Sequence, residues 1–258
     1  MQNEIAAKNN PKIKFVKKLL GSSKQRTQSG LFVVEGLRLC ADAIGSGFSF
    51  EQLFFTADFA DKHEKELQML SAGAKQIFSV SSDAFCKMSD TVSPQGVLGV
   101  AKIKADRCVL TQNGRYVVLC DVADPGNLGA VAGTAEALGI DGMIVCGGCD
   151  VYNPKALRAS MGALLRIPVL RCQLQDLFCT LQKHNIPTFA SVPDRSAMPV
   201  GQADFQNGAA MLIGNEGSGL PDAVIAQCDR KITIPMRGKA ESLNAAVAAS
   251  ILMYEMIR

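Results

Sequence analysis

The sequence has no apolar run long enough to cross a bilayer. Its longest strongly apolar stretch near the C-terminus, Ala245 to Met253, falls well short of the roughly 20 residues a spanning helix needs. Residues 1 to 26 carry no apolar core of the secretory-signal kind, so the chain is expected to stay in the cytoplasm, with no membrane association. Histidine is nearly absent. The two present, His63 and His184, lie in charged, helix-like segments, and no serine or cysteine sits in an elbow motif, which leaves a hydrolase triad little support. No G-x-G-x-x-G follows the first strand of the second half, and no G-x-x-x-x-G-K-[ST] occurs, which disfavours a nicotinamide dehydrogenase or a P-loop ATPase. Internal repeats and low-complexity segments are also missing.

What is present is the composition of a soluble globular protein: 258 residues, 48% of them hydrophobic, with a net charge of +3. Nine cysteines (Cys40, Cys86, Cys108, Cys120, Cys146, Cys149, Cys172, Cys179 and Cys228) are an odd number scattered through apolar segments, the pattern of reduced, buried thiols. Cys146 and Cys149 form a C-x-x-C, but no second Cys or His pair stands at zinc spacing. The Gly-Gly between them reads as a turn at a strand end, and no metal is expected. The charge is uneven: Lys8, Lys12, Lys14, Lys17, Lys18, Lys24 and Arg26 face only Glu4 within the first 26 residues. Such a segment suits a polyanion partner, or equally a solvated helix face.

From Leu31 to Lys102 short apolar runs (LFVVE, QLFF, QIFSV, GVLGVAK) alternate with helix-like stretches (GLRLCADAI, DKHEKELQML), which predicts a compact α/β unit. Between Ile103 and Gly114 the pattern lapses into polar residues, and a domain boundary is expected there: 1–105 and 106–258. The second half alternates YVVLC, GMIVC, IPVL, TFASV, AAMLIG and KITIP with helices expected near 128–138, 154–165 and 174–184 and from Glu241 onward. Nearly continuous apolar strands between helices predict a mostly parallel sheet covered on both faces. On the last helix Leu243, Val247 and Ile251 share one side, fit for a core or a tightly packed interface.

Three glycine-bearing segments follow strands in this half: DVADPGNLGAVAGTAEALG (121–139), IGNEGSGLPD (213–222) and IPMRGKAESLNAAVA (234–248). Ligands of open α/β sheets bind outside the carboxyl ends of strands, where glycine lets the backbone come close. Any one of these loops alone could be a mere turn. Together, in this order and spacing, they resemble motifs 1, 2 and 3 of the SpoU/TrmH methyltransferases. NPKIKFVKKL (10–19), FVVEGLRLCADAI (32–44) and SPQGVLGVAK (93–102) resemble the N-terminal RNA-binding extension of the ribosomal-RNA members, and RASMGALLRIPV (158–169) resembles the segment between motifs 1 and 2.

The resemblance implies an α/β fold in two parts, a small N-terminal RNA-binding domain and a C-terminal SPOUT domain whose parallel sheet is tied in a trefoil knot. It also implies a homodimer whose active sites are completed across subunits. Its activity would be transfer of a methyl group from S-adenosylmethionine to a ribose 2′-hydroxyl, with large-subunit ribosomal RNA as the preferred substrate. Carried onto this sequence, Leu212, Gly214, Glu216, Gly219, Ile234, Met236, Ser242 and Leu243 surround the cofactor, while Asn127, Glu216, Ser242 and Asn244 are the polar residues of the catalytic centre. Lys12, Lys14, Lys17, Lys18 and Arg38 fall in the RNA-binding extension. On local grounds Asn127 and Ser242 could also cap the helices that follow them.

One position departs from the family. In N-x-G-x-x-x-R the arginine is the residue usually assigned to activating the ribose, and counting from Asn127 and Gly129 that place holds Gly133. A protonated arginine acts as an electrostatic clamp, and Arg158, Arg166, Arg237 or an RNA phosphate could stand in for it. Three readings stay open: an active methyltransferase, a catalytically weakened RNA-binding protein of the same fold, and an unrelated nucleotide-binding α/β enzyme.

Overall fold

The computed structural model describes residues 5–105 and 108–258. Glu4 and residue 106, where the second domain is expected to start, lie outside them. The chain divides into two compact units, residues 1–104 with 150–166, and residues 105–149 with 167–258.

The first unit is built on a four-stranded sheet. Its strands are β1 (Leu31–Glu35), β2 (Phe50–Phe55), β3 (Ile77–Ser79) and β4 (Val97–Lys102), in the order β1-β4-β2-β3. Only β2 and β3 run parallel; β4 is antiparallel to both its neighbours. Leu98, Val100, Val33 and Phe54 bury one face against Ile13, Val16 and Leu19 of the Pro11–Gly21 helix and Phe85 and Met88 of the Ser82–Met88 helix. The apolar i, i+3, i+6 spacing of Ile13, Val16 and Leu19 leaves Lys14, Lys17 and Lys18 exposed on the other side, as expected for an amphipathic helix. Lys12 is half-buried, its ammonium 4.6 Å from the centre of the Phe78 ring.

Two members of the basic N-terminal cluster are not free. Arg26 is 3% exposed. Its guanidinium donates to Asp150 at 2.6 Å and to the Leu19 carbonyl at 2.6 Å, because a buried charge must be paired. Lys8 pairs with Asp83 at 2.9 Å. The helix expected near 154–165 is two short ones, Pro154–Ala159 and Ala163–Arg166. Met161 and Gly162 between them take positive φ of 48° and 85°, which no α-helix accommodates.

The second unit carries a seven-stranded sheet: β5 (Arg115–Cys120), β6 (Gly142–Cys146), β7 (Val169–Arg171), β8 (Thr188–Ser191), β9 (Met198–Pro199), β10 (Ala209–Ile213) and β11 (Arg230–Thr233). The order is β7-β6-β5-β10-β8-β11-β9, and every pairing is parallel. The strands β5, β6 and β10 are buried along nearly their whole length, as continuous apolar runs in a sheet covered on both faces require. Cys146 ends β6, and Gly147 and Gly148 turn the chain with φ of 72° and 70°. Among the described residues no disulfide joins any of the nine cysteines. Cys86 and Cys179 are exposed rather than buried, while burial pushes Cys40 and Cys120 up to about 12, out of the reactive range.

The last helix begins at Ala245, not Glu241, because the side chain of Asn244 accepts hydrogen bonds from the backbone of Ala246 and Val247 at 2.9 and 3.2 Å. The Pro125–Ala137 helix starts in the same way: Asp124 accepts from the Asn127 N–H at 2.9 Å, with Pro125 in the first turn. The caps are therefore Asp124 and Asn244, and Asn127 and Ser242 are left to other work. No helix among the described residues is long and apolar enough to cross a membrane.

Candidate functional site

The order of the large sheet puts β10 between β5 and β8, with β11 on the far side of β8. Since all run parallel, the segments leaving β5, β8, β10 and β11 emerge at one edge. They are the three glycine-bearing loops and residues 191–193.

Glu216, in the loop after β10, reaches the loop after β5. One carboxylate oxygen accepts from the Asp124 N–H at 3.0 Å and the Asn127 amide at 2.9 Å, and the other accepts from the Ala123 N–H at 3.1 Å. Asn215 adds a second tie, its amide donating to the Asp121 carbonyl at 2.9 Å. Asn127 in turn accepts from the Asn244 amide at 3.0 Å, which joins the loop after β11 to the same network. A chain Asn244–Asn127–Glu216 thus links all three loops. Partial burial pushes the Glu216 carboxyl up, and the donors on it, Asn127 first and then the backbone of Ala123 and Asp124, outweigh that and hold it below the ordinary value. Such a carboxylate is a poor proton acceptor and a good clamp.

Between the loops lies a cleft of about 300 Å³. Of the sequence-predicted cofactor residues, Gly214, Glu216, Gly219, Ile234, Met236, Ser242 and Leu243 line it. Leu212 does not. It is fully buried in the core beside Tyr116, Val118 and Ala210, so only its backbone could take part. Asn127 and Asn244 are not on the lining either; they brace it from behind through Glu216. Gly214 is forced by packing, since a Cβ there would run into the backbone of Gly219 and Leu220. Gly219 has φ of 67°, which allows the 215–219 turn to close with Asn215 and Gly219 exchanging backbone hydrogen bonds at 3.1 and 2.9 Å.

Sequence reasoning missed Ser191, the last residue of β8, and Val192 and Pro193 after it, which form one wall. The rule that ligands sit at carboxyl strand ends would have pointed to them, but no glycine marks them. Of the stand-in arginines, Arg158 pairs with Asp90 at 2.9 Å and Arg166 with Asp42 at 3.3 Å, both within the first unit. Arg237 is exposed in the loop after β11. Gly133 is half-buried in the Pro125–Ala137 helix. Among the described residues no group of His, Cys, Asp or Glu could hold a metal ion.

A parallel α/β sheet whose carboxyl-end loops close a cleft with apolar walls (Ile213, Leu220, Ile234, Leu243) and a few hydroxyls and amides (Ser191, Asn215, Ser242) has the architecture in which open α/β folds bind small ligands. Comparison with known proteins is more specific: residues 114–254 match the SpoU rRNA Methylase family and residues 10–99 the MRM3-like substrate binding domain. The chain belongs to the SpoU rRNA methylase family.

It is 31% identical over 255 residues to the 23S rRNA (guanosine(2553)-2'-O)-methyltransferase RlmP of Bacillus subtilis, covering 98% of each chain. To the 23S rRNA (uridine(2479)-2'-O)-methyltransferase of Streptomyces viridochromogenes it is 32% identical, covering 93% of this chain and 87% of the relative. Among solved structures it resembles the S. viridochromogenes SpoU methyltransferase AviRb in complex with AdoMet, with a TM-score of 0.88 at 29% identity over 96% of this chain and 97% of that one. An AdoMet-bound rRNA methyltransferase from Sinorhizobium meliloti matches with the same TM-score of 0.88 at 27% identity, over 98% and 97% of the two chains.

Proposed function

We propose that this protein is an S-adenosylmethionine-dependent RNA methyltransferase that methylates a ribose 2′-hydroxyl of large-subunit ribosomal RNA. The observation that carries the reading is the convergence of three separate loops on one cleft, tied by the Asn244–Asn127–Glu216 chain. The two relatives above are named as 23S rRNA 2'-O-methyltransferases, and two solved neighbours hold AdoMet.

The residues fit that cofactor. When bound, it supplies an electrophilic methyl group. Ile213, Leu220, Ile234 and Leu243 offer an apolar slot for a purine ring, and the close-packed Gly214–Gly219 turn brings backbone groups to its edge. Ser191, Asn215 and Ser242 offer hydrogen bonds to ribose and amino-acid groups. The Ser242 hydroxyl, on the lining, is free to orient the incoming ribose. In-line displacement is governed by positioning, and Glu216 supplies it by fixing the Ala123–Asn127 turn. A 2′-hydroxyl is a weak nucleophile, so a cation nearby would favour its alkoxide as the proton leaves.

The finer assignments belong to the same reading. Residues 1–105 form the RNA substrate-binding domain, with Lys14, Lys17 and Lys18 on the exposed face of their helix and Arg38 exposed as the contacting cations, and Lys12 beside them. Residues 106–258 form a SPOUT methyltransferase domain with a trefoil knot, and the insertion of the late strand β10 between β5 and β8 is consistent with such threading. The protein works in the cytoplasm as a homodimer. Support for the dimer comes from the Ala245–Ile257 helix, whose Val247, Ile251, Tyr254 and Ile257 are 48%, 36%, 55% and 37% exposed along one side. The weakened reading raised by Gly133 gains nothing from the relatives, which are named as methyltransferases.

Calorimetric titration with S-adenosylmethionine, followed by incubation of ribosomal RNA with methyl-labelled cofactor, tests the proposal. Binding and label in alkali-resistant dinucleotides are expected, because methylation of the 2′-oxygen blocks strand cleavage there. Cofactor binding without label, and no gain on Gly133→Arg, would return the weakened reading.

A further inference from the structure

Beside the cofactor cleft lies a second, larger one of about 640 Å³, and the two share Pro193, Thr233, Ile234 and Met236. Its charge is unlike that of the first. Arg195, Arg237 and Lys239 line it against a single carboxylate, Glu241, which leaves an excess of two positive charges. All three cations are exposed, and none has a hydrogen-bond or ion-pair partner among the described residues. Three other arginines, by contrast, are paired with carboxylates: Arg26 with Asp150, Arg158 with Asp90, Arg166 with Asp42. Two guanidiniums and an ammonium left unpaired in one concavity are held ready for an anion from outside.

The position limits what that anion is. The cleft opens next to the slot assigned to the methyl donor, where an RNA ribose has to arrive with a phosphodiester on either side. Guanidinium matches a phosphate with two parallel N–H donors, and its charge persists at any working pH. We infer that the Arg195–Arg237–Lys239 cleft binds a phosphodiester of the substrate RNA next to the target ribose, and that Arg237 supplies the positive charge that Gly133 does not. This rests on the methyltransferase reading for the identity of the neighbouring cleft. The two loops contribute unequally: Arg195 follows β8, whereas Arg237 and Lys239 belong to the segment that also carries Ser242, so phosphate binding would order the wall that faces the ribose.

The test is the salt dependence of RNA binding, which needs no turnover. With a fluorescein-labelled oligouridine as probe, the slope of log affinity against log salt is expected to fall by about 0.7 for each cation removed in Arg195→Ala and Arg237→Ala, and by about twice that in the double variant. Affinity near physiological salt should drop roughly tenfold per arginine, the usual size for a lost charge-assisted hydrogen bond. Arg237→Lys should keep the slope, because it keeps the charge. Calorimetry with S-adenosylmethionine should be unchanged in all of them. An unaltered slope in the double variant would overturn the assignment. So would a loss of cofactor affinity with RNA binding intact, which would make the arginines props for the first cleft. Failure of the methyltransferase reading looks different: wild type would leave ribosomal RNA unlabelled, whatever the slopes.

Discussion

At the scale of single residues, Glu216 does the most. Its carboxylate accepts one side-chain and two backbone donors from a loop 89 to 93 positions earlier in the chain, so its ionised form is what keeps that loop in place. Its folded value lies below the ordinary 4.5, so the unfolded chain takes up the proton more readily than the folded one. The stabilisation is therefore fully present above about pH 4.5 and is lost only as acid passes through the lowered folded value. The site is exposed, so the effect on global stability is small, and cofactor affinity is the sharper probe. We expect S-adenosylmethionine affinity to hold constant from neutral pH down to that range and then fall. Glu216→Gln should lose affinity at neutral pH, because one oxygen acceptor becomes an amide donor facing N–H groups, and should show no acid step. An acid step that survives in Glu216→Gln would mean another group sets it.

At the scale of elements, close packing in the 213–220 turn makes an equally direct prediction. A Cβ at Gly214 would enter the backbone of Gly219 and Leu220, whereas one at Gly217 would meet only the Asn215 side chain at 3.6 Å, an ordinary contact. Gly214→Ala should cost about 2 kcal/mol, the usual size of an overpacked site, and lower Tm by about 6 °C in a chain of this length. Gly217→Ala should be nearly silent in Tm. Equal effects at the two positions in a thermal melt would refute the packing account. The same elements show what the sequence made legible. Strands such as YVVLC and GMIVC were readable because a doubly covered parallel strand is one apolar run with glycine or polar residues at its ends. The start of the last helix was not, since Ser242, Leu243 and Asn244 all suit a first turn, and only the choice of Asn244 as cap sets Ala245 as the beginning. Glycines marked the three loops. The Glu216–Asn127 pairing was not legible, because it depends on which strands become neighbours, and the β8 wall at 191–193 carried no glycine to announce it.

At the scale of the whole molecule, the Ala245–Ile257 helix presents two faces of similar polarity and unequal fate. Ala246, Ala249, Leu252, Met253 and Met256 are buried, while Val247, Ile251, Tyr254 and Ile257 lie in a line on the outside, at spacings of four, three and three residues. Isolated exposed apolar residues are ordinary, whereas a row along one side of a helix is what the proposed dimer would use as its seam. In the proposed homodimer a two-fold axis across the helix would set the same row against itself with no further partner needed. The flanking pair Arg258–Glu255, at 3.2 Å, lies at the end of the row, where an interface rim is commonly charged. Ile251→Lys puts a charge at the middle of the seam and leaves the buried face untouched, so the fold should survive with unchanged circular dichroism. Sedimentation velocity should then show a dimer in wild type and a monomer in the variant. If the active site is completed across subunits, methyl transfer to ribosomal RNA should fall with the monomer fraction and recover as protein concentration drives reassociation. A wild-type chain that sediments as a monomer at micromolar concentration would remove the dimer, and would leave the exposed row to some other surface.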